Sequence, residues 1–465
     1  MQPESRLDTW RQHQSIEVSI DDLSATGDGV GHWGEDRRVV FVPDTVPGDR
    51  ITAKLTFVKP SYAHGQLTTV HEASEHRVKP HCIVADKCGG CQWQAASYAY
   101  QVQAKRHQLV QALERIGKFV DPPVAEILAA PSAFGYRNKA TYPLGFNLQD
   151  GKRKVVAGYY QKRSHRIVNL NQCPVQDARL NPLLAALKQD IQQQDWSIYD
   201  ETSHRGELRH LSLRIGRRTG EILVTLVART GKNLPGLEAL AQSWMKQFPA
   251  VVGVSLNLNE DRTNRIFGNE TRCIVGAPFL NEIFAGLTIH VHPNTFFQVY
   301  TEQAEALVQK ILERLNLQGH ETVVDAYCGI GTLTLPIARV ARHCVGLEVQ
   351  AEAIAQAREN AQLNGITNVA FQTGTVAQGL DQLELQPDVL LLDPPRKGAE
   401  PAVIQNLIRR NIPRIVYMSC NPATLARDLQ QLCQEGPYRL VQAIPADFFP
   451  QTAHVECAAF LESLG

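Results

Sequence analysis

Hydrophobic and polar residues alternate along the first part of the chain. Ile16, Val18 and Ile20 are separated by polar residues, and residues 51–57 repeat the pattern. A period of two predicts half-buried β-strands, and glycine- or proline-containing turns separate them at residues 27–31 and 46–49. Roughly five short strands in so small a segment predict a β-barrel of the OB type. We expect this barrel to occupy residues 8–72.

Short apolar runs alternate with helical spacing over residues 290–465. Residues 322–325, 343–348, 388–393 and 414–420 have the pattern of buried strands, and residues 334–341 and 351–364 that of helices. This order predicts parallel βαβ units and an α/β, Rossmann-like domain. Ligands of such domains lie at the carboxyl ends of the strands. The candidate chemical residues at those ends are Asp325, Glu348, Asp393 and Cys420.

Residues 76–289 are predicted to form a central α+β domain. Residues 97–116 have helical spacing and end at Gly117, and we expect this helix to pack on the C-terminal domain. Residues 152–218 contain 13 Lys or Arg against six Asp or Glu, with Tyr159 and Tyr160 among them. Cations interleaved with aromatic rings favour RNA binding, although a solvated charged face has the same composition.

Whole-chain composition narrows the class of protein. Of the 465 residues, 43% are hydrophobic and 20% are charged, which excludes a disordered, collagen-like or coiled-coil protein. The 47 basic residues balance the 47 acidic ones, so any signal for a polyanionic partner must be local. The sequence has no apolar run of membrane-spanning length and no apolar leader. We therefore expect a cytoplasmic protein that binds neither membrane nor DNA, and we identify no obligate protein partner.

Three of the ten cysteines are closely spaced. Cys88 and Cys91 flank a Gly-Gly turn, and Cys82 lies six residues before Cys88. Cys173 precedes a proline far downstream. Three thiolates within ten residues can reach one metal centre, and a fourth completes the set. Zinc and iron–sulfur clusters both accept four thiolates, so the spacing leaves these two alternatives open.

The turn after the first C-terminal strand resembles a nucleotide-binding loop. Residues 325–332 read Asp-Ala-Tyr-Cys-Gly-Ile-Gly-Thr, without the third glycine of the dinucleotide motif. Glu348 ends the next strand, where a carboxylate can accept hydrogen bonds from both ribose hydroxyls. The pattern therefore predicts an adenosyl ligand of single-nucleotide type rather than a dinucleotide.

Two further motifs lie near the C-terminus. Ser419-Cys-Asn-Pro422 places a thiol at a strand end, facing the predicted cleft. His454 and Glu456 lie two residues apart, so they share a face in an extended segment. The His-x-Glu pair fits a metal fragment, a structural ion pair or an acid–base pair.

Together these motifs resemble the iron–sulfur-containing RNA uracil-5-methyltransferases, of which the bacterial 23S rRNA enzymes are the best-known type. The resemblance covers nearly the whole chain. The N-terminal barrel corresponds to a TRAM domain, and the C-terminal domain to a class I methyltransferase. The motifs that carry the resemblance are the four cysteines, residues 296–299, 325–331, 393–398, 419–422 and 449–456.

The resemblance implies S-adenosylmethionine as methyl donor, a 4Fe-4S cluster on Cys82, Cys88, Cys91 and Cys173, and RNA, above all rRNA, as partner. It implies that Cys420 is the nucleophile and Glu456 the base. The positions that match the family's donor site are Gln298, Tyr327, Thr332, Glu348, Thr375 and Asp393. The chain departs from the family at Tyr300, where an asparagine is common, and at Thr375, where an acidic residue is common.

Three alternatives stay open at this point. The substrate could be a uridine of tRNA, or the target base could be cytosine, since RNA cytosine-5-methyltransferases use the same thiol addition. The third hypothesis is a non-catalytic RNA-binding iron–sulfur protein. The presence of Cys420, Glu348 and Glu456 at the family's catalytic and donor-site positions argues against it.

Overall fold

The structure is a computed structural model that describes residues 10–149 and 151–465. Internal contacts divide the chain into two compact units. Of the described residues, the N-terminal unit contains 10–108 together with 449–454, and the C-terminal unit contains those of 109–448 and 455–465. Residues on both sides of position 290 belong to the C-terminal unit. The predicted division into domains at residues 76–289 and 290–465 therefore stays a prediction. Residues 8 and 9 of the predicted barrel lie outside the described residues.

A closed five-stranded barrel forms the first part of the N-terminal unit, in the strand order β1-β2-β3-β5-β4. Its strands are β1 (Ser15–Leu23), β2 (Gly29–Trp33), β3 (Arg38–Val42), β4 (Arg50–Val58) and β5 (Tyr62–Glu72). Ile16, Val18 and Ile20 point inward and pack against Val40 and Ile51. The predicted small β-barrel is thereby confirmed.

Helix α1 (Tyr98–Arg115) follows the cysteine-containing loop. Its first half holds residues 449–454 within the N-terminal unit. The Gln101 amide donates to Gln451 Oε1 at 3.1 Å, and Gln101 Oε1 accepts from the Gln451 backbone N–H at 2.8 Å. The buried ammonium of Lys105 donates to the Phe449 carbonyl at 2.9 Å. Leu109 and Leu113, in the second half of α1, belong to the main apolar core of the C-terminal unit.

A seven-stranded sheet of order β12-β11-β10-β9-β6-β7-β8 forms one part of the C-terminal unit. Its neighbouring strands are antiparallel except for the parallel β10–β11 pair. The elements of this region are β6 (Lys139–Gln149), β7 (Lys152–Tyr160), β8 (Ile167–Asn169), α2 (Leu180–Gln193), β9 (Leu208–Ile215), β10 (Ile222–Ala228), α3 (Leu237–Gln247), β11 (Val251–Leu258) and β12 (Glu270–Gly276). The hairpin β13 (Leu280–Phe284) and β14 (Leu287–Val291) follows.

A second seven-stranded sheet, of order β17-β16-β15-β18-β19-β21-β20, carries the C-terminal motifs. Its first five strands are parallel, and β21 and β20 are antiparallel additions at one edge. The elements are α4 (Thr301–Leu315), β15 (Thr322–Ala326), α5 (Thr334–Ala338), β16 (His343–Glu348), α6 (Ala351–Leu363), β17 (Val369–Thr373), α7 (Val376–Gln382), β18 (Val389–Leu392), α8 (Pro401–Arg410), β19 (Arg414–Ser419), α9 (Pro422–Gln430), β20 (Tyr438–Ala446) and β21 (Glu456–Ser463). The predicted α/β, Rossmann-like sheet is confirmed.

Several arginines of the basic run 152–218 are used inside the protein. Arg209 donates to the carbonyls of Asn259 and Asp261, and Arg217 pairs with Asp177 and Glu302. Arg218 pairs with Glu305 in α4. The charge excess counted along the sequence therefore overstates the cations available to a partner, and the exposed ones are concentrated in residues 152–154 and 163–166.

Among the described residues, no helix combines the length and the apolar character that crossing a bilayer requires.

Candidate active site

The turn after β15 is held in an unusual backbone conformation. Tyr327, Gly329 and Gly331 have φ values of 73°, 54° and 88°. Glycine adopts this left-handed region freely, whereas a tyrosine is strained there. The N–H groups of Tyr327 and Cys328 donate to the Leu347 carbonyl at 2.9 and 3.0 Å, which fixes the turn against the end of β16. Strain retained at a strand end of this kind is typical of a ligand-binding turn.

Glu348 meets this turn directly. Its Oε2 accepts a hydrogen bond from the Gly329 N–H at 3.3 Å, and its Oε1 accepts from the Gln350 N–H at 3.0 Å. The Gly-rich turn and the carboxylate, predicted separately from the sequence, thus lie in contact. The half-exposed carboxylate retains lone pairs for the hydroxyls of a ligand.

Two aspartates stand at the ends of neighbouring strands. Burial raises the pKa of Asp325 to about 7, and hydrogen bonding from Thr334 Oγ1 at 2.5 Å opposes the rise. Its Oδ1 has no hydrogen-bond partner within residues 10–149 and 151–465. Burial likewise raises the pKa of Asp393 to about 6, although part of its surface stays open. Both carboxyls are therefore poorly hydrated, and Asp325 has unused hydrogen-bonding capacity.

Cys420 follows β19 and precedes α9. Burial raises the pKa of its thiol, and the Glu456 carboxylate raises it further, whereas the Arg396 guanidinium lowers it. The thiol is partly exposed, so a reactant can approach it. The N-terminus of α9 also favours a negative charge at this position.

Glu456 begins β21, which pairs with β19, and it is buried. Burial and the neighbouring Asp393 raise the pKa of Glu456 well above its ordinary value, and Arg396 opposes the rise. The structure therefore groups a thiol, two carboxyls and one guanidinium at one sheet edge. A carboxyl with a raised pKa is suited to accept a proton near neutral pH.

Helix α9 holds the loop that carries Asp393 and Arg396. Asn421 Nδ2 and Thr424 Oγ1 each donate to the Arg396 carbonyl at 3.2 Å. Asp428 Oδ2 accepts from the Ala399 N–H at 2.9 Å and from the buried Tyr417 hydroxyl at 2.5 Å. Because α9 begins next to Cys420, one short helix fixes the backbone of Arg396 relative to the thiol.

The segment with Gln298 is held by Asn138, just before β6, and by Arg214 in β9. The Asn138 amide donates to the Gln298 carbonyl at 2.8 Å and to Thr301 Oγ1 at 3.0 Å. The buried Arg214 donates to the carbonyls of His292 and Thr295, at 3.4 and 2.7 Å. The Gln298 side chain is partly exposed and so accessible to a ligand.

The remaining predicted side chains differ in their surroundings. Thr332 is half-buried in the turn before α5. Thr375 is the N-cap of α7 and forms a capping box with Gln378, which is a structural use of its hydroxyl. His454 lies in the N-terminal unit, where its ring stands edge-on to the Phe449 ring, with the two ring centres 5.9 Å apart.

The four cysteines fall in different units. Cys82, Cys88 and Cys91 are partly exposed in the N-terminal unit, whereas Cys173 is buried in the C-terminal unit. Gly90 N–H donates to Cys88 Sγ at 3.4 Å, a contact typical of a thiolate ligand. In the part of the chain that the structure describes, no three His, Cys, Asp or Glu side chains form a group that could hold a metal ion.

The sequence analysis did not predict a role for Arg396 or Asn138, nor the contacts that α9 makes with the Arg396 loop. Arg396 lies in the quoted motif Asp393-Pro-Pro-Arg-Lys-Gly398, so it could have been singled out as the cation nearest the thiol. Asn138 and Tyr417 carry no such signal, because their roles arise only when distant strands pair.

Comparison with known proteins places this site in a family. A family profile described as tRNA (uracil-5-)-methyltransferase matches residues 284–464, and a TRAM domain profile matches residues 10–68. An uncharacterized RNA methyltransferase of Nostoc is 62% identical over 97% of both chains. An uncharacterized RNA methyltransferase of Halalkalibacterium halodurans is 40% identical over 96% of both chains.

A solved structure is similar over almost the whole chain. It is the Pyrococcus abyssi tRNA (uracil-54, C5)-methyltransferase in complex with S-adenosyl-L-homocysteine, with a TM-score of 0.75 and 28% identity. The alignment covers 96% of this chain and 99% of that one.

The fold, the site and these relatives define an RNA-binding methyltransferase. More specifically, the chain belongs to the RNA uracil-5-methyltransferase family that carries a TRAM domain.

The charges around Cys420 predict opposite effects of two substitutions. Glu456→Gln removes a negative charge beside the thiol, so the thiolate should form at lower pH. Arg396→Gln removes the opposing positive charge, so the thiolate should form at higher pH. The pH profile of Cys420 alkylation by iodoacetamide, followed by peptide mass spectrometry, measures both shifts.

Glu462→Gln is the matched control, because Glu462 lies on the same strand and pairs with Arg439. It should leave the profile unchanged. Shifts of the same sign in the Glu456 and Arg396 variants would contradict the electrostatic assignment.

Proposed function

We propose that this protein methylates C5 of a uridine in RNA by transient covalent addition of Cys420 to the base. The observation that carries the proposal is the grouping of four side chains where β18 and β19 end and β21 begins: Cys420, Glu456, Asp393 and Arg396. S-adenosylmethionine supplies the methyl group from its sulfonium centre. Tyr327, Glu348, Gln298 and Asp393 are proposed to hold this donor.

C5 of uracil is too weak a nucleophile to take a methyl group directly. The Cys420 thiolate bonds to C6, and the C5–C6 π electrons move toward C5 and O4, which makes C5 nucleophilic. Cysteine suits this step because its thiolate is accessible and intrinsically reactive. Arg396 favours the ionised thiol, and Asn421 and Thr424 hold the Arg396 backbone.

After C5 has gained its methyl group, it still carries a proton. Glu456 takes that proton, the C5–C6 double bond forms again, and the bond from C6 to Sγ breaks to release the thiolate. Burial suits Glu456 to this role, because a poorly hydrated carboxylate is a stronger base than an exposed one. The target base must leave its stack to reach the site.

We propose a uridine of 23S rRNA as the target, following the motif resemblance. A uridine of tRNA is the second candidate, since the Pyrococcus abyssi enzyme of similar fold acts on tRNA and the matching family profile carries that name. The TRAM barrel and the exposed cations of residues 152–154 and 163–166 are proposed to hold flanking nucleotides.

We propose further that Cys82, Cys88, Cys91 and Cys173 bind a 4Fe-4S cluster. The donor set fits such a cluster chemically, and the Gly90 N–H contact to Cys88 supports a thiolate at that position. Because methyl transfer involves no redox change, the cluster is assigned a structural role and takes part in no step of the reaction.

Cys420→Ala should reduce methyl transfer by more than about 10³-fold, since it removes the nucleophile. It should also abolish the covalent complex with RNA that contains 5-fluorouridine. Glu456→Gln should form a covalent adduct with ordinary RNA and release it slowly, because the C5 proton is retained. Denaturing gels with labelled RNA measure adduct formation. Cys433→Ala, outside the site, is the control, and wild-type activity in Cys420→Ala would refute the mechanism.

A deletion strain should lose 5-methyluridine at one or more positions of 23S rRNA, mapped by mass spectrometry of rRNA and tRNA digests. Loss confined to tRNA would select the second candidate. Loss of 5-methylcytidine would show that the target base is cytosine, and no loss at all would favour a non-catalytic RNA-binding protein. Complementation with wild-type and Cys420→Ala genes separates methylation from RNA binding.

Anaerobic purification should yield a brown protein with broad visible absorbance and roughly four iron atoms per chain. Cys88→Ser should remove the colour and the iron, whereas Cys433→Ser should retain both. A colourless protein containing zinc would contradict the cluster and leave the proposed methylation untouched.

A further inference from the structure

Three cations gather at the start of β6 without a partner of opposite charge. Lys139 in β6 stands opposite Arg214 in the neighbouring antiparallel strand β9, and Arg137 lies two residues before Lys139. The Lys139 ammonium lies 4.6 Å from the centre of the Phe267 ring. For residues 10–149 and 151–465, no ion pair involves any of these three cations.

Asp177 is the acidic residue whose backbone is hydrogen-bonded to Arg137, but its carboxylate already has two partners. The Asp177 N–H donates to the Arg137 carbonyl, but the Asp177 carboxylate binds Arg179 and Arg217. Burial lowers the pKa of Lys139 well below its ordinary value, and Arg214 and Arg137 lower it further. Cations that destabilise one another in this way are retained at a cost to folding, which an anionic ligand can offset.

One buried donor of this group also lacks a partner. Arg214 Nε forms no hydrogen bond within the described part of the chain, and only 4% of the residue's surface is exposed. Unsatisfied buried donors are uncommon and call for an explanation such as an anionic ligand. Arg137 and Lys139 are partly exposed, so an anion has access to the group.

The cations adjoin the segment that carries Gln298. Asn138, between Arg137 and Lys139, donates to the Gln298 carbonyl, and Arg214 donates to the Thr295 carbonyl. An anion bound by Arg137 and Lys139 would therefore contact the support of the proposed methyl-donor site. RNA brings a phosphodiester with every nucleotide, and Arg and Lys are its usual protein contacts.

We propose that Arg137, Lys139 and Arg214 form a binding site for a phosphodiester group of the RNA substrate, next to the nucleotide that enters the active site. The inference rests on the proposed function. A phosphodiester within a chain of nucleotides offers these cations a singly charged, tetrahedral oxyanion, and the Phe267 ring lies against one side of the Lys139 ammonium.

Lys139→Met tests the site, because it removes the charge and keeps an unbranched side chain. The probe is a short fluorescein-labelled single-stranded oligouridylate, titrated by anisotropy at several salt concentrations. Affinity should fall about fivefold, and the slope of log affinity against log salt should shrink by about 0.7, the value for one lost contact with single-stranded RNA. Lys139→Arg should restore the slope. Lys310→Met, a surface lysine paired with Glu313, should leave it unchanged.

Folding of Lys139→Met is checked by thermal unfolding, and its midpoint should equal or exceed that of the wild type, because an uncompensated cation is removed. An unchanged affinity and salt slope would overturn the site. Equal competition by inorganic phosphate and oligouridylate at constant ionic strength would overturn the assignment to RNA and indicate a free phosphate ligand. Binding is measured without the methyl donor, so failure of methyl transfer in the wild type would refute the proposed function separately.

Discussion

Poor hydration of ionisable groups at one edge of a parallel sheet is the constraint on which the site depends. Asp325 lies at the end of β15, Asp393 and Cys420 follow β18 and β19, and Glu456 begins β21. Burial is the largest influence on each of their pKa values. Burial opposes ionisation of every one of them. Arg396 is the cation that offsets this effect for both Cys420 and Glu456, so its position governs the balance between a neutral site and a reactive one.

Much of the surrounding structure holds the loop that carries Arg396. Asn421 and Thr424 bind the Arg396 carbonyl, and the buried Tyr417–Asp428 pair binds the Ala399 N–H. These contacts act on the backbone of the loop, so they fix the loop without occupying the side chains that face a substrate. Asn138 and Arg214 support the Gln298 segment in the same manner, through backbone carbonyls. Both supports come from elements distant in sequence, which links the reactivity of the site to the integrity of the whole unit.

The sequence allowed prediction of the barrel, the parallel sheet and the candidate site residues for clear physical reasons. Alternating burial marks β1, and strand ends mark Asp325, Glu348, Asp393 and Cys420. In the C-terminal sheet, the sequence pattern does not predict β17, β20 or β21. Strand β17 is short and mostly exposed. Strands β20 and β21 form antiparallel pairs, which an alternation of strands and helices does not predict. The predicted donor contact at Thr375 meets a competing local use, since its hydroxyl caps α7. That local role depends on Gln378 three residues later, a spacing that also occurs by chance.

Counting charges along a sequence cannot separate cations that hold a fold together from cations that await a ligand. Arg217 and Arg218 belong to the basic run 152–218, yet each pairs with a carboxylate inside the protein. Lys139 lies outside that run and would not have been chosen by composition, although it lacks an opposite charge. The distinction depends on which partners folding brings within reach. An uncompensated, partly buried cation costs folding free energy, so its retention argues for binding more strongly than an exposed lysine does, because an exposed lysine is stable with water alone.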